Sequence, residues 1–542
     1  MNRVLLAAGL LLLGMPAAAQ SLPETESYVR YQEPALFSYD ELVALVESDP
    51  LEERLGQKLA AIRTTPFVSN EAHYRGAKPH RPEVEQLGPS LRVVMWNIER
   101  GFALDELKLL FTDSNAFLKN QAQSGERINV SELLAQLDAL QSADVLVLNE
   151  VDWGIKRTDY RAVIRELGEA LDMNWTFGVE FIEVDPISLG TEQFEEIEDE
   201  AERKQLVADI QVDKDRLKAL HGTAILSRYP IAEAVLRPFE KQGYDWFNGE
   251  QQRVSKIEAG KRGVASTVFM EKVSREIRRG GRTCLVVTLD VPDLPEKKLT
   301  VVAPHLENRA APRARRDQME ELLAYLKETR NPIIMAGDLN TTLGDTSPTD
   351  VRREIYRRVG SSEFWATTGL KYATGVGLLY DVVQGGVNFI KNQNDPTASH
   401  IPVIGPNPEA ALFQLLERFR FADGAVFDFR GDKNRTVNRT EGTLGNSNQR
   451  ESKGFAPTYQ VNRTIGPAGK LKLDWILVKP YIEDPRSARE PYRFAPHFAL
   501  TMEEVNYSLR ERLSDHNPIS VDLPLQEPGE VTSRGKKKFL FF

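Results

Sequence analysis

The chain is predicted to fold as a layered α/β domain, and three observations carry that expectation. Short apolar runs bounded by turn residues recur along most of the 542 residues, several of them apolar almost throughout, as strands covered on both faces are. Amphipathic helical stripes lie between these runs. The two patterns alternate along the chain, which argues for helices packed on sheets.

Taken in order, the first strand candidate is LRVVMWNI, starting at Leu91. NVSELLAQLDAL then sets Leu133, Leu134, Leu137 and Leu140 on one helical stripe. ADVLVLNEV, GTAILSRYPI, TCLVVTLDV and LTVVAPHLE follow as strands. RARRDQMEELLAYLKETR repeats the stripe with Met319, Leu322, Leu323 and Leu326, and NPIIMAGDLN, LKLDWILVKP and NPISVDLPL complete the strand set.

Other stretches fall outside this rhythm. Residues 1–19 pair one arginine with an apolar run over residues 4–13 and small residues before Gln20, the pattern of a secretory signal peptide cut after Ala19. Its apolar run is shorter than the roughly 20 residues a membrane span needs. An exported protein, periplasmic or secreted, is therefore expected. Residues 20–90 read as an N-terminal extension containing one helix, YDELVALVESDPLEERLGQKLAAI. The acidic run EEIEDEAERKQ reads as a solvated helix face. Residues 341–462 form a long insertion, expected to act as a substrate-side lid, within a main domain over 91–525. The tail 526–542 ends RGKKKFLFF and reads as a frayed terminus; peripheral membrane contact is the sharper alternative.

Composition narrows the function classes. The formal net charge of −10 gives no global basic field for nucleic-acid binding, so such contact would need a local basic groove. A single cysteine, Cys284, inside an apolar run, excludes an internal disulfide. No obligate protein partner is evident in the sequence.

The informative residues stand where strands end. LRVVMWNIERG ends on Asn97 and Glu99, ADVLVLNEV on Glu150, LTVVAPHLE on His305, and NPIIMAGDLN on Asp338 and Asn340. Alternation along a strand would put Asp338 and Asn340 on one side of its end. Asp474 interrupts the apolar LKLDWILV, and Asp515 and His516 immediately precede the last strand. Open α/β sheets place binding sites beyond strand termini, so these groups are expected to share a pocket.

Their chemistry is that of phosphate-ester hydrolysis. Asn97, Glu150 and Asp515 are hard oxygen ligands suited to Mg²⁺ or Mn²⁺. Asp474 with His516 makes a carboxylate–imidazole pair that favours the imidazolium beside a phosphoryl oxygen. Asp338 suits alignment and deprotonation of the attacking water, with Asn340 holding the phosphate or that acid. His305 suits protonation or stabilisation of the leaving oxygen, and the sum is in-line, metal-assisted hydrolysis with no covalent intermediate required.

Read together and in order, the WN of MWNIERG, the E of LNEVD, GTAILSRYPI, HLEN with Arg315 and Gln318, GDLN, APTYQ leading to LKLDWILV, and the final SDH resemble the endonuclease/exonuclease/phosphatase superfamily. The resemblance implies a four-layer sandwich of two mixed β-sheets flanked by helices. It makes Glu150 the principal metal ligand with Asn97 and Asp515 nearby, Asp338 the water-orienting acid, Asn340 its phosphate-binding neighbour, and Asp474 with His516 the dyad. His305 resembles the deoxyribonuclease and sphingomyelinase branches. The sequence departs from the family pattern at Asn149, where glutamine is usual, and in the long spacing from GDLN to LDWIL.

The expected activity is a Mg²⁺-dependent phosphodiesterase, with nucleic acid favoured as substrate. The alternative is a phosphatase or a sphingomyelinase- or phospholipase C-like hydrolase, for which GYDWFNG offers Tyr244, Trp246 and Phe247 as lipid-facing aromatics if they are exposed. A non-catalytic binding module is the remote third reading. His221, beside Gly222, is a candidate pocket residue, Arg313, Arg315 and Arg316 are candidate phosphate contacts, and the RRGGR run at residues 278–282 reads as a hairpin turn.

Overall fold

Val93 and Met95 leave one face of their strand, and Val94 and Trp96 leave the other. Both faces are buried, so this strand must lie inside a stack of layers. The computed structural model describes residues 28–121, 129–191, 211–251, 277–341, 397–428, 446–481 and 494–526, apart from short gaps at 86, 187, 398, 402–404, 452–453, 461–469, 495–496 and 508–511. The signal sequence, the acidic run, the C-terminal tail and most of the 341–462 insertion lie outside the described residues.

The strands of the two large sheets are, in chain order, β1 (Tyr31–Gln32), β2 (Phe67–Ser69), β3 (Glu83–Val84), β4 (Gly88–Arg100), β5 (Val145–Trp153), β6 (Asn174–Glu183), β7 (Leu220–Ser227), β8 (Ile231–Pro238), β9 (Arg278–Gly280), β10 (Thr283–Asp290), β11 (Lys298–Pro304), β12 (Ile333–Asp338), β13 (Asp474–Lys479), β14 (Phe498–Thr501) and β15 (Ile519–Pro524). The 10-stranded sheet runs β1-β2-β6-β7-β5-β4-β15-β14, with β3 added beside β4 and β9 beside β6. The 5-stranded sheet runs β13-β12-β11-β10-β8. Each sheet is mixed: β4 with β5 and β11 with β12 are parallel, and every other pair in them is antiparallel. A parallel neighbour needs a crossover connection. Helices at Leu104–Thr112, Ser114–Gln121 and Val130–Gln141 supply it between β4 and β5, and Pro312–Leu326 between β11 and β12.

Three apolar clusters define the layers. Val93, Met95, Val145, Val147, Leu285, Val287, Val301, Ile334, Ile476 and Val521 fill the space between the sheets. Val94, Trp96, Leu146 and Leu148 meet Leu107, Leu133 and Leu137 on the outer side of the larger sheet. Cys284, Val302, Met335 and Leu477 meet Met319, Leu322 and Leu326 on the outer side of the smaller one. Helix, sheet, sheet and helix stack in that order, which is the four-layer sandwich.

The structure alters several local readings. The single helix expected in the N-terminal extension is two, Tyr39–Glu47 and Glu53–Ile62, because Pro50 lacks an amide donor and cannot continue a helix. The same extension adds β1 and β2 to the larger sheet, where Phe67 faces Phe177 of β6. GTAILSRYPI spans two sheets: β7 ends at Ser227 and β8 opens at Ile231 in the other sheet. RRGGR carries β9 on β6 and delivers Arg282 to the cleft. Trp246 and Phe247 are buried, with the Trp246 indole donating to Glu307, so neither is offered to a lipid surface. In the part of the insertion that is described, Leu412, Phe413 and Leu416 of the helix Ala410–Arg418 join the smaller sheet's outer cluster.

Candidate active site

β4, β5 and β12 run toward the same edge of the sandwich, and β13, antiparallel to β12, starts there with Asp474 opposite Asp338. β15 enters antiparallel to β4, with Ile519 opposite Met95, which sets His516 beside the Asn97 end of β4. Topology alone therefore gathers residues that are hundreds of positions apart.

Their contacts form one network. The Asn97 amide nitrogen donates to Glu150 Oε1 at 3.2 Å and to Asp338 Oδ2 at 3.3 Å. His516 Nδ1 meets Asp474 Oδ2 at 2.8 Å, and its Nε2 lies 3.8 Å from Asp338 Oδ2 and 4.0 Å from Asp515 Oδ1. The Asn340 side chain donates to the Leu306 carbonyl at 3.0 Å, next to His305. Asn97, Glu150, Asp338, Asn340, Asp474, Asp515, His516 and His305 thus surround a single cleft.

Backbone strain concentrates at the same place. Glu99, Arg100, Glu150 and Asn340 all have positive φ, at 46°, 66°, 53° and 49°. Such conformations cost on the order of 1–3 kcal/mol each and persist where the surroundings over-determine them. The strain replaces simple alternation: Asp338 and Asn340 meet through a turn, in which the Asn340 N–H donates to Asp338 Oδ1 at 2.8 Å. Glu99 N–H donates to Asn97 Oδ1 at 3.1 Å in the same way. Gly337 is required before Asp338, since a Cβ there would sit 1.9 Å from the Pro304 carbonyl oxygen. Asn149 uses both ends of its amide, accepting from the Asp338 N–H at 2.8 Å and donating to Thr223 Oγ1 at 2.9 Å.

Sequence reading missed the partners of His305. Glu180 on β6 and Arg282 before β10 flank its Nδ1 at 3.3 and 2.7 Å, and Arg282 Nη1 also donates to Glu180 Oε2 at 2.7 Å. Both contacts converge on Nδ1 and leave Nε2 for another partner. That Nε2 is buried and, among the described residues, has no hydrogen-bond partner, as is also true of Asp474 Oδ1. Unsatisfied polar atoms so deeply buried fit a site that a ligand completes. Arg315 does not reach the cleft: it is buried on Glu409 and the Glu307 and Ala310 carbonyls.

The electrostatics separate two roles. Burial works against the His516 cation, yet the Asp474, Asp338 and Asp515 charges outweigh it and raise its pKa well above the ordinary 6.5. Burial, then the Asp474 charge, raises the Asp338 carboxyl against the opposing pull of His516 and His305. Burial also opposes the Glu150 charge, but Arg100, His305, His221 and His516 hold its pKa down at about 2. Glu99, named at its strand end but given no role in the chemistry, is pushed up to about 7 by burial and then by the Asp515 and Glu150 charges. Asn97, Glu99, Glu150 and Asp515 offer hard oxygen donors, but the expected set of Asn97, Glu150 and Asp515 is not the one drawn closest. Among the described residues it is Asp338, Asp474 and His516 whose ligand atoms lie within 4.8 Å of one another, and the Nδ1 bond to Asp474 ties that imidazole into a dyad.

The family model described as the Endonuclease/Exonuclease/phosphatase family matches residues 96–516. Among solved structures, a Beutenbergia cavernae endonuclease/exonuclease/phosphatase aligns with 15% identity over 80% of this chain and 71% of its own, at a TM-score of 0.34. Truncated Caenorhabditis elegans TDP2 aligns with 12% identity over 80% and 97%, at 0.32. The human Nocturnin catalytic domain aligns with 12% identity over 80% and 94%, also at 0.32. Comparison with curated proteins finds no match. With a family match that begins at Trp96, ends at His516 and encloses every residue of the cleft, the chain belongs to the endonuclease/exonuclease/phosphatase family.

Proposed function

We propose that the chain is an exported, Mg²⁺-dependent phosphodiesterase acting on nucleic acid. The family hydrolyses phosphoric esters, and the observation that carries the finer reading is the pairing of a charged His516 with a carboxyl of raised proton affinity, Asp338, 3.8 Å away. Asp338 would orient a water for in-line attack and accept its proton. His516, held by Asp474, would donate Nε2–H to a non-bridging phosphoryl oxygen as charge builds there. His305, whose Nε2 has no hydrogen-bond partner among the described residues, would stabilise the leaving oxygen by hydrogen bonding. Asn340 would hold the Asp338 side of the phosphate. A divalent cation held by Asn97, Glu150 and Asp515, with Glu99 beside them, would neutralise phosphate charge.

Two observations favour nucleic acid over a lipid ester. Trp246 and Phe247, two of the three candidate lipid anchors, are buried, and the half-buried Tyr244 donates its hydroxyl to Glu250. Phe102 is 50% exposed beside Arg100, whose guanidinium lies 5.9 Å from its ring centroid, so one turn beyond Glu99 offers an aromatic face and a charge to a base and its phosphate. Arg100 and Arg512 supply local positive charge beside Glu99 within an acidic molecule. Export rests on the N-terminal sequence, and an N-terminus beginning at Gln20 on protein recovered outside the cytoplasm would test it.

The deciding experiment incubates purified protein with duplex DNA, single-stranded RNA, bis(4-nitrophenyl) phosphate, a sugar monophosphate and sphingomyelin vesicles, with Mg²⁺ or with EDTA. Mg²⁺-dependent cleavage of DNA or RNA supports the proposal. Turnover confined to the monophosphate or the vesicles would replace it with the phosphatase or lipase reading.

A further inference from the structure

The strand β7 carries a third imidazole that the reaction above does not use. His221 is 2% exposed, and its Nδ1 meets Asp152 Oδ1 at 2.8 Å. Arg157 grips the same carboxylate from the far side, Nε to Oδ2 at 2.7 Å and Nη2 to Oδ1 at 2.9 Å. Burial opposes the Asp152 charge, but Arg157 and His221 outweigh it and keep this carboxyl well below the usual range. The arrangement repeats the Asp474–His516 pair: a buried anion fixes one ring nitrogen and leaves the other free to act.

Strand geometry turns His221 toward the cleft. β7 lies between β5 and β6, and the ladders on both sides slip beside it, between Leu148 and Val151 on β5 and between Val179 and Phe181 on β6. Glu150 and Glu180 sit in those slips. A bulge re-aims the side chain it contains, and here one occurs on each flank of His221. The three strands are drawn tight at this level, because a Cβ on Gly222 would meet the Gly178 carbonyl oxygen at 1.9 Å. Two residues on, Thr223 donates to Glu180 Oε1 at 2.5 Å and accepts from Asn149, so this part of β7 is already tied into the site. His221 lies close enough to Glu150 and Glu180 to count among the groups that act on both carboxylates. Its Nε2 has no hydrogen-bond partner among the described residues.

We infer that His221 is a substrate-binding residue of the cleft, held by Asp152 and Arg157 so that its Nε2 contacts a phosphate oxygen of the bound ester on the Glu150 side. The inference rests on the phosphodiesterase reading for its substrate class. It adds a third imidazole to a centre in which sequence motifs mark only His305 and His516.

The test compares His221→Ala, His221→Phe and His221→Gln, with melting temperatures recorded, on bis(4-nitrophenyl) phosphate and Mg²⁺. Loss of one such donor costs roughly 100-fold in turnover efficiency, and that fall is expected in Ala and Phe alike. Gln, which keeps a side-chain N–H, should recover part of it, and added imidazole should restore part of the Ala loss only. Independently of turnover, the His221 ring nitrogen resonances of the wild type should shift on titration with inorganic phosphate in Mg²⁺. Wild-type kcat/KM in His221→Phe, or a resonance indifferent to phosphate, would overturn the inference. A wild type inert toward every diester would remove the phosphodiesterase reading instead, and His221 would then be judged on the phosphate titration.

Discussion

Glu99 shows how much the cleft depends on what fills it. Its carboxyl is raised from 4.5 to about 7, first by burial and then by the Asp515 and Glu150 charges. The folded state therefore holds this proton more tightly than the unfolded chain does, so its contribution to stability is complete below about 4.5 and is lost as pH rises through about 7. In EDTA the urea midpoint should fall with rising pH across that window, and Glu99→Gln should remove the part of the slope near 7. Asp144, raised by burial to about 6, keeps its own share in the variant. Activity has the opposite requirements at two other groups. The proposed mechanism uses Asp338 ionised, so kcat/KM should fall as pH drops through its raised pKa, and His516 charged, so it should fall again as pH climbs through the raised histidine value. Asp474→Asn removes the largest support of the His516 cation, so the alkaline limb of the profile should move to lower pH. Glu150, Asp338, Asp474 and His516 were legible in the sequence because an ionisable side chain at the end of an apolar strand has few structural reasons to be there. Glu180 and Arg282 were not: one sits among apolar residues just ahead of an acidic run, and the other closes a glycine-rich run that reads as a turn.

Two glycines fix the strands that carry these groups. Gly337→Ala would force a Cβ against the Pro304 carbonyl, and the strand must shift because backbone cannot rotate away. Overpacking of that kind costs about 1–3 kcal/mol, and the shift would displace Asp338 by one covalent link, so both the unfolding midpoint and kcat should drop. A surface change such as Lys327→Ala, just past the helix Pro312–Leu326, should move neither. The helix and strand readings held where periodicity was strong, as in Val130–Gln141, Pro312–Leu326 and the apolar strands β4, β5 and β12, except that Leu134, placed on the apolar stripe of the first of these helices, is 46% exposed. They failed where burial removes periodicity. β6, NWTFGVEFIE, is buried at nearly every position, so it neither alternates nor stays apolar, and its glycine and acids hide a central strand.

At the scale of the molecule, residues far apart in sequence meet because two mixed sheets end at a common edge, and that edge is stabilised from unexpected directions. The N-terminal extension is part of the larger sheet: β2 covers β6, and Phe37, Leu42, Leu45 and Phe67 join the helix-side core. Removing residues 28–70 would expose the β6 edge and that apolar surface, so the shortened protein is expected to aggregate or lose its cooperative thermal transition, checked by circular dichroism and light scattering. The order of the motifs announced the sandwich, whereas the extension's strands, of 2 and 3 residues, are too short to carry a pattern. The central claim is that one cleft, built from both sheets, cleaves phosphate esters. Its most direct test is the rate of bis(4-nitrophenyl) phosphate hydrolysis in Mg²⁺ by wild type, Asp338→Asn and His516→Gln, each first shown to be folded. Wild-type turnover abolished by EDTA and a fall of about 1,000-fold or more in each variant is the predicted result; either variant turning over at the wild-type rate would contradict it.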